Sequence, residues 1–174
     1  MLKMFTTQLA GLFKRIEEKE EFPFEDGARL LAQGPVGDGK IYLLCVGEMK
    51  AVEFEAFEGS EPFKWAKRLK DVSEVTVADR VLLFSRYASD KTAVAIAEQL
   101  HERNIPFVAV STALEEEETG VDHLADVHIN LQLKKGLLPD EMGNRFGYPA
   151  SMAGLFAYYG LKFTIEEILA EYEE

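Results

Sequence analysis

The sequence predicts an α/β fold, a three-layer doubly wound sheet of about five mainly parallel strands with helices at its N- and C-terminal ends. Three observations carry that expectation. The apolar runs "KIYLLCV", "RVLLFS" and "IPFVAVS" do not alternate with polar residues, as suits strands covered on both faces. Stretches with helical spacing separate these runs, which calls for crossover connections and parallel pairing. The chain has 174 residues, 47% of them hydrophobic, enough for one full core and too few for two, so residues 1–174 are read as one domain.

Taken in order, Leu2, Phe5, Leu9, Leu12, Phe13 and Ile16 stand at helical spacing with Lys14, Arg15, Glu17 and Glu18 toward the other side, an amphipathic helix. "FPFEDGARLLAQ" predicts a second helix, ended by Gly34. A buried strand, "KIYLLCV", follows and breaks at Gly47. Residues 48–72 are ambiguous. "AVEFEAF" alternates like a strand, but Glu and Ala are poor strand formers and Phe63, Ala66 and Leu69 have helical spacing, so two short helices are expected there. "RVLLFS" is the next strand and "SDKTAVAIAEQLHERN" a helix with Val94, Ile96, Ala97 and Leu100 inward and Asn104 in its last turn. Strands "IPFVAVS" and "DVHINL" follow. "YPASMAGLFAYYG" predicts a helix opened by Pro149 and closed by Gly160, and "TIEEILAEYEE" a final helix capped by Thr164.

Nineteen Lys and Arg residues against thirty-one Asp and Glu give a formal charge of −12, which argues against duplex nucleic acid or an anionic membrane surface as partner. No run reaches the length of a membrane span and the first residues lack a signal-peptide pattern, so a cytoplasmic location is expected. The single cysteine, Cys45, lies inside an apolar strand and reads as a small buried hydrophobe. Residues 115–118 and the acidic tail read as solvated charge. Asp122, His123, Asp126 and His128 are metal-ligating types, but their strand and loop spacing does not converge them, so neither metal nor cofactor is expected.

"GPVGDGKI" matches G-x-x-x-x-G-K at Gly34, Gly39 and Lys40, with Ile41 where a Ser or Thr would hold Mg²⁺. A phosphate loop follows a strand and opens a helix; here the order is reversed, and the stretch reads as a helix-to-strand turn. In an open parallel sheet, ligands gather beyond the carboxyl ends of the strands. Those ends fall at Gly47, Ser85 and Ser111. "SRYASDKT" follows the second of them. A helix N-terminus there offers unpaired amides, Ser85, Ser89 and Thr92 offer hydroxyls, and Arg86 and Lys91 offer charge for an anion. The plain alternative is that Ser89 or Asp90 caps the helix and the other hydroxyls are solvated turn residues.

The stretch "DRVLLFSRYASDKTAVAIAEQLHERNIPFVAVST", preceded by a Gly-ended strand and followed by "HLADVHINL", resembles the sugar isomerase (SIS) domain. Asp79, Ser85, Ser111, Thr112, Ala125 and Asp126 fall in register with that family's pattern, and the likeness runs from Lys40 onward. It is nearest to a small bacterial branch resembling phosphoheptose isomerase. The resemblance implies a single SIS-like domain that binds a phosphorylated sugar or amino sugar, with the phosphate in the loop from Ser85 to Thr92. Gly47, Glu48, Lys50, Ser85, Arg86, Ser89, Lys91, Thr92, Ser111 and Thr112 are then the candidate contacts. It also implies an aldose-ketose isomerase, with Glu55 or Glu58 as the base. The chain departs from the family in four features: Tyr87-Ala88 replaces its Ser-Gly, two extra residues precede Thr92, "GEMKA" puts Ala51 where its first loop carries a serine, and the late helix carries no histidine. A non-catalytic sugar-phosphate sensor is therefore the alternative. The apolar stripe on residues 2–16 and the small residues Ala150, Ala153, Gly154, Ala157 and Gly160 point to a homodimer formed by helices.

Overall fold

In the computed structural model, which describes residues 1–173, two helices lead the chain: α1 (Leu2–Lys19) and α2 (Glu21–Val36). Five strands follow, β1 (Ile41–Cys45), β2 (Ala66–Arg68), β3 (Arg80–Tyr87), β4 (Phe107–Thr112) and β5 (Val127–Asn130). Between and after them come α3 (Lys50–Glu58), α4 (Lys91–Glu102), the short α5 (Val121–Leu124), a small hairpin of β6 (Leu138–Pro139) and β7 (Arg145–Phe146), and the long α6 (Ala150–Glu173). The sheet has the order β2-β1-β3-β4-β5, with every neighbouring pair parallel.

Alternate residues of each strand feed two separate cores, and this makes three layers. Ile41, Leu43, Leu82, Phe84, Val108, Val110 and Ile129 pack with buried residues of α1, α2, α3 and α6. Val81, Leu83, Phe107 and Ala109 face the other way, onto Ala93, Ala97 and Leu100 of α4 and onto Val72, Val75 and Val121. Strands covered on both sides need apolar residues at both parities, which is why these runs do not alternate. Cys45 is buried within the sheet, where desolvation pushes its thiol well above the usual range. No helix among the described residues is long and apolar enough to cross a membrane.

Three local expectations change. Residues 48–72 form a 3₁₀ turn (Gly47–Met49), one helix, α3, and then an edge strand, β2, in place of a second helix. Without β2 the outer edge of β1 would carry unpaired backbone groups. β2 supplies partners from Ile41↔Ala66 to Leu43↔Arg68, and Leu69 N–H adds a bond to Leu43 O at 2.9 Å. The late helix runs unbroken through Gly160, because the missing side chain admits Phe24, whose ring would lie 3.0 Å from an added Cβ. Thr164 accordingly caps nothing; its hydroxyl donates to Gly160 O at 3.0 Å. Finally, α2 continues past Gly34 to Val36.

The glycines that imitate a phosphate loop have a steric role. A Cβ on Gly34 would stand 2.8 Å from Lys40 O, and one on Gly39 would stand 1.8 Å from Ala78 O. Asp79 closes this junction. Its carboxylate accepts from Lys40 N–H at 2.9 Å and from Thr76 N–H and Oγ1 at 2.8 and 3.0 Å, tying the start of β1 to the start of β3.

Candidate functional site

The chain passes from β1 to β2 on one side of the sheet and returns to β3 on the other, so the connections diverge beyond the ends of β1 and β3. Such a divergence leaves a crevice at the carboxyl edge. After β1, Gly47 adopts a positive φ of 62°, a backbone state that favours glycine, and the turn puts Glu48 at the surface. β3 runs beyond its pairing with β1, which ends at Cys45↔Phe84, and its register with β4 shifts between Phe84 and Tyr87. That irregularity turns Ser85 inward and Arg86 outward.

Arg86 and Glu48 meet across the crevice. Arg86 Nε donates to Glu48 Oε1 at 2.8 Å while Nη2 donates to Oε2, a two-pronged pair in which the side chains keep 50% and 35% of their exposure. The hydrogen bonds from Arg86 hold the Glu48 carboxyl below the usual carboxylate range. The pair borders two hollows. One, of about 150 Å³, is lined by Val46, Gly47, Glu48, Arg86, Tyr87, Ser89 and Asp90. The other, of about 490 Å³, shares Glu48, Arg86 and Tyr87 and adds Tyr148, Ala150 and Ser151 from the start of α6. At its far wall the Tyr87 and Tyr148 rings lie 6.0 Å apart, and the Tyr148 hydroxyl donates to Leu133 O.

α4 begins at the smaller hollow. Asp90 caps it, accepting from Ala93 N–H at 3.0 Å. Among the described residues the Ser89, Lys91 and Thr92 amides have no protein acceptor, so donors remain at the positive end of the helix.

The candidate contacts therefore divide. Gly47, Glu48, Arg86 and Ser89 come together in one cleft. Ser85 is buried and its hydroxyl donates to Tyr87 O at 2.8 Å. Ser111 is buried with its Oγ 2.7 Å from His128 Nε2, and Thr112 Oγ1 accepts from Leu133 N–H at 3.3 Å. Those three hydroxyls bind the protein to itself. Lys91 borders a neighbouring hollow with Ser89, Glu117, Glu118 and Thr119, while Thr92 and Lys50 are exposed outside both parts of the cleft.

The two carboxylates assigned to catalysis by resemblance lie elsewhere. Glu55 accepts a hydrogen bond from the Tyr159 hydroxyl, and Tyr159 is nine residues along α6 from Ala150, a rise of roughly 13 Å. Glu58 lies 3.8 Å from Arg68 Nη2 beside the β2 edge. Neither lines the cleft. No group of three or more His, Cys, Asp or Glu among the described residues is placed to hold a metal; His123 is paired with Asp122 at 3.5 Å and His128 with Ser111. Tyr148 and Ser151 were not among the candidates, because nothing in the local pattern around residue 150 connects it with a strand end more than sixty positions earlier.

The sheet order, the helices that cover it and the crevice at the β1–β3 divergence define a SIS-type fold. Phosphoheptose isomerase GmhA from Neisseria gonorrhoeae superposes with a TM-score of 0.60 at 14% identity, covering 96% of this chain and 100% of its own. The sugar isomerase domain of the RpiR transcription factor from Sphaerobacter thermophilus gives 0.61 at 11% identity, over 99% and 97% of the two chains. NanR of Vibrio vulnificus, solved with ManNAc-6P, gives 0.61 at 15% identity over 97% of this chain and 64% of its own. The chain itself belongs to the family described as a domain of unknown function, DUF2529, whose profile matches residues 1–169. It is 44% identical over 173 residues to the uncharacterized protein YwjG of Bacillus subtilis, covering 99% of each.

Proposed function

We propose that this protein binds a phosphorylated sugar or amino sugar in the β1–β3 cleft and acts as a sensor or regulatory module. The phosphate would sit between Arg86 and the first turn of α4. The observation that carries this reading is the meeting, in one crevice, of the Arg86 guanidinium with Ser89, whose amide at the start of α4 has no protein acceptor among the described residues. Each hydrogen bond to a charged group contributes about 1.5 to 3 kcal/mol, and two or three of them offset much of the cost of association. Binding without isomerisation is favoured because Glu55, Glu58 and all three histidines lie outside the cleft lining. The fold is used both by an isomerase, GmhA, and by a transcription factor, RpiR, so it does not choose between the two roles.

Thermal melting with a panel of sugar phosphates tests this. A ligand at a hundred times its Kd stabilises by about 2.7 kcal/mol, and Arg86→Gln should abolish the shift. A panel that leaves melting unchanged removes the proposal. Solvent-deuterium exchange into a bound sugar would restore the isomerase reading. We further propose a cytoplasmic homodimer joined through helices, since Leu2 and Met4 on α1 remain 77% and 48% exposed. Sedimentation of a single 19.6 kDa species at high concentration would exclude it.

A further inference from the structure

Resting on that phosphate reading, we infer that the ligand carries a free ammonium group as well as a phosphate, so that the site selects amino-sugar phosphates whose amine is not acylated. The Arg86–Glu48 pair points to this. Glu48 holds the Nε/Nη2 edge of the guanidinium, so a phosphate that takes Arg86 either displaces the carboxylate or shares the guanidinium through its remaining Nη1/Nη2 edge. In either case Glu48 lies beside a dianion, with its counter-ion lost or shared. Among the described residues Arg86 is the only cation lining the two hollows, against the carboxylates of Glu48 and Asp90. A neutral sugar phosphate therefore adds negative charge to a lining that is already negative once its single cation has been claimed.

An ammonium on the ligand resolves the conflict. With the phosphate on Arg86 and the ammonium on Glu48, each charged group of the site has a counter-charge of its own. Splitting the pair costs little, since both side chains are substantially exposed. Asp90 does not compete for the amine through Oδ1, which is engaged at Ala93 N–H. Tyr148 and Ser151 add hydroxyl-bearing walls to the larger hollow, where the sugar ring would lie next to Glu48. An N-acetyl group removes the positive charge and leaves Glu48 unmatched, so the acylated ester should behave like the neutral one.

Calorimetric titration at low ionic strength decides it, with glucosamine 6-phosphate, glucose 6-phosphate and N-acetylglucosamine 6-phosphate as probes. The wild-type protein should bind the free amine about two- to fivefold more tightly than the other two, the worth of one partly exposed ion pair. In Glu48→Gln that advantage should vanish and glucose 6-phosphate should bind more tightly than it does to wild type. An unchanged melting temperature in Glu48→Gln confirms that the variant folds. Equal affinity for the three esters in wild type, or an amine preference that persists in Glu48→Gln, overturns the inference and leaves phosphate binding intact. No binding of any ester to either protein overturns both.

Discussion

Replacing Asp79 by alanine should loosen the end of the sheet opposite the cleft, and the size of the effect follows from the bonds it makes. Asp79 is 6% exposed and accepts from two backbone amides, Lys40 and Thr76, and from one hydroxyl, Thr76 Oγ1. In Asp79→Ala the hydroxyl can turn to solvent, but the two amides lose their acceptor. Each hydrogen bond from an amide to a charged carboxylate contributes about 1.5 to 3 kcal/mol, giving a loss of roughly 3 to 6 kcal/mol. For a domain of this length each kcal/mol lowers the melting temperature by about 2 to 4 °C, so a drop on the order of 10 °C is expected. Asp79→Asn keeps one oxygen acceptor but turns an NH₂ group toward the other donor, and should fall between wild type and alanine. Urea denaturation and calorimetry at neutral pH measure the series. If Asp79→Ala lies within about 1 kcal/mol of wild type, Asp79 is not the tie between β1 and β3, and the account of how their register is fixed fails.

Gly39→Ala should cost about 1 to 3 kcal/mol or more in the same denaturation assay, because its Cβ meets backbone at 1.8 Å and not a side chain that can swing aside. The same variant should leave sugar-phosphate affinity unchanged at temperatures where it is folded, as befits a steric role. Acid should also expose His128, whose burial lowers its pKa from 6.5 to about 4. The unfolded chain then binds more protons between those values, so this group's contribution is full above pH 6.5 and fades as pH falls toward 4, by about 3 kcal/mol in all. Glu20 acts in the opposite sense: desolvation raises its pKa, so acidification relieves a buried charge. A His128→Gln variant should therefore lose less stability than wild type between pH 6.5 and 4 in urea titrations, and parallel curves would refute the assignment.

The middle of the sheet could be read from the chain because β3 and β4 are covered on both faces, and only unbroken apolar runs satisfy that demand. β2 could not. It has three residues, two of them Lys67 and Arg68, and it exists to answer the hydrogen-bonding need of β1, a demand set by a neighbour distant in sequence. The break expected at Gly160 failed for a similar reason, since the missing side chain is used for contact with Phe24 and not for a turn. At the site, the rule that ligands gather at strand ends led to Gly47, Arg86 and Ser89, and the resemblance added Glu48. Ser85, Ser111 and Thr112, the other hydroxyls named, lie in the interior, because β3 and β4 continue far enough to carry them there. Tyr148 and Ser151 reach the cleft only through the packing of α6, which local sequence does not encode.

The short, cationic β2 also settles how the molecule treats its own kind when crowded. An incoming extended segment would find only a few free backbone groups on that margin, flanked by Lys67 and by Arg68, the latter held near Glu53 at 3.4 Å and over the Phe57 ring. Stripping water from those charges gives no return to a growing stack of strands. This rim of the sheet is thus a poor seed for fibrils.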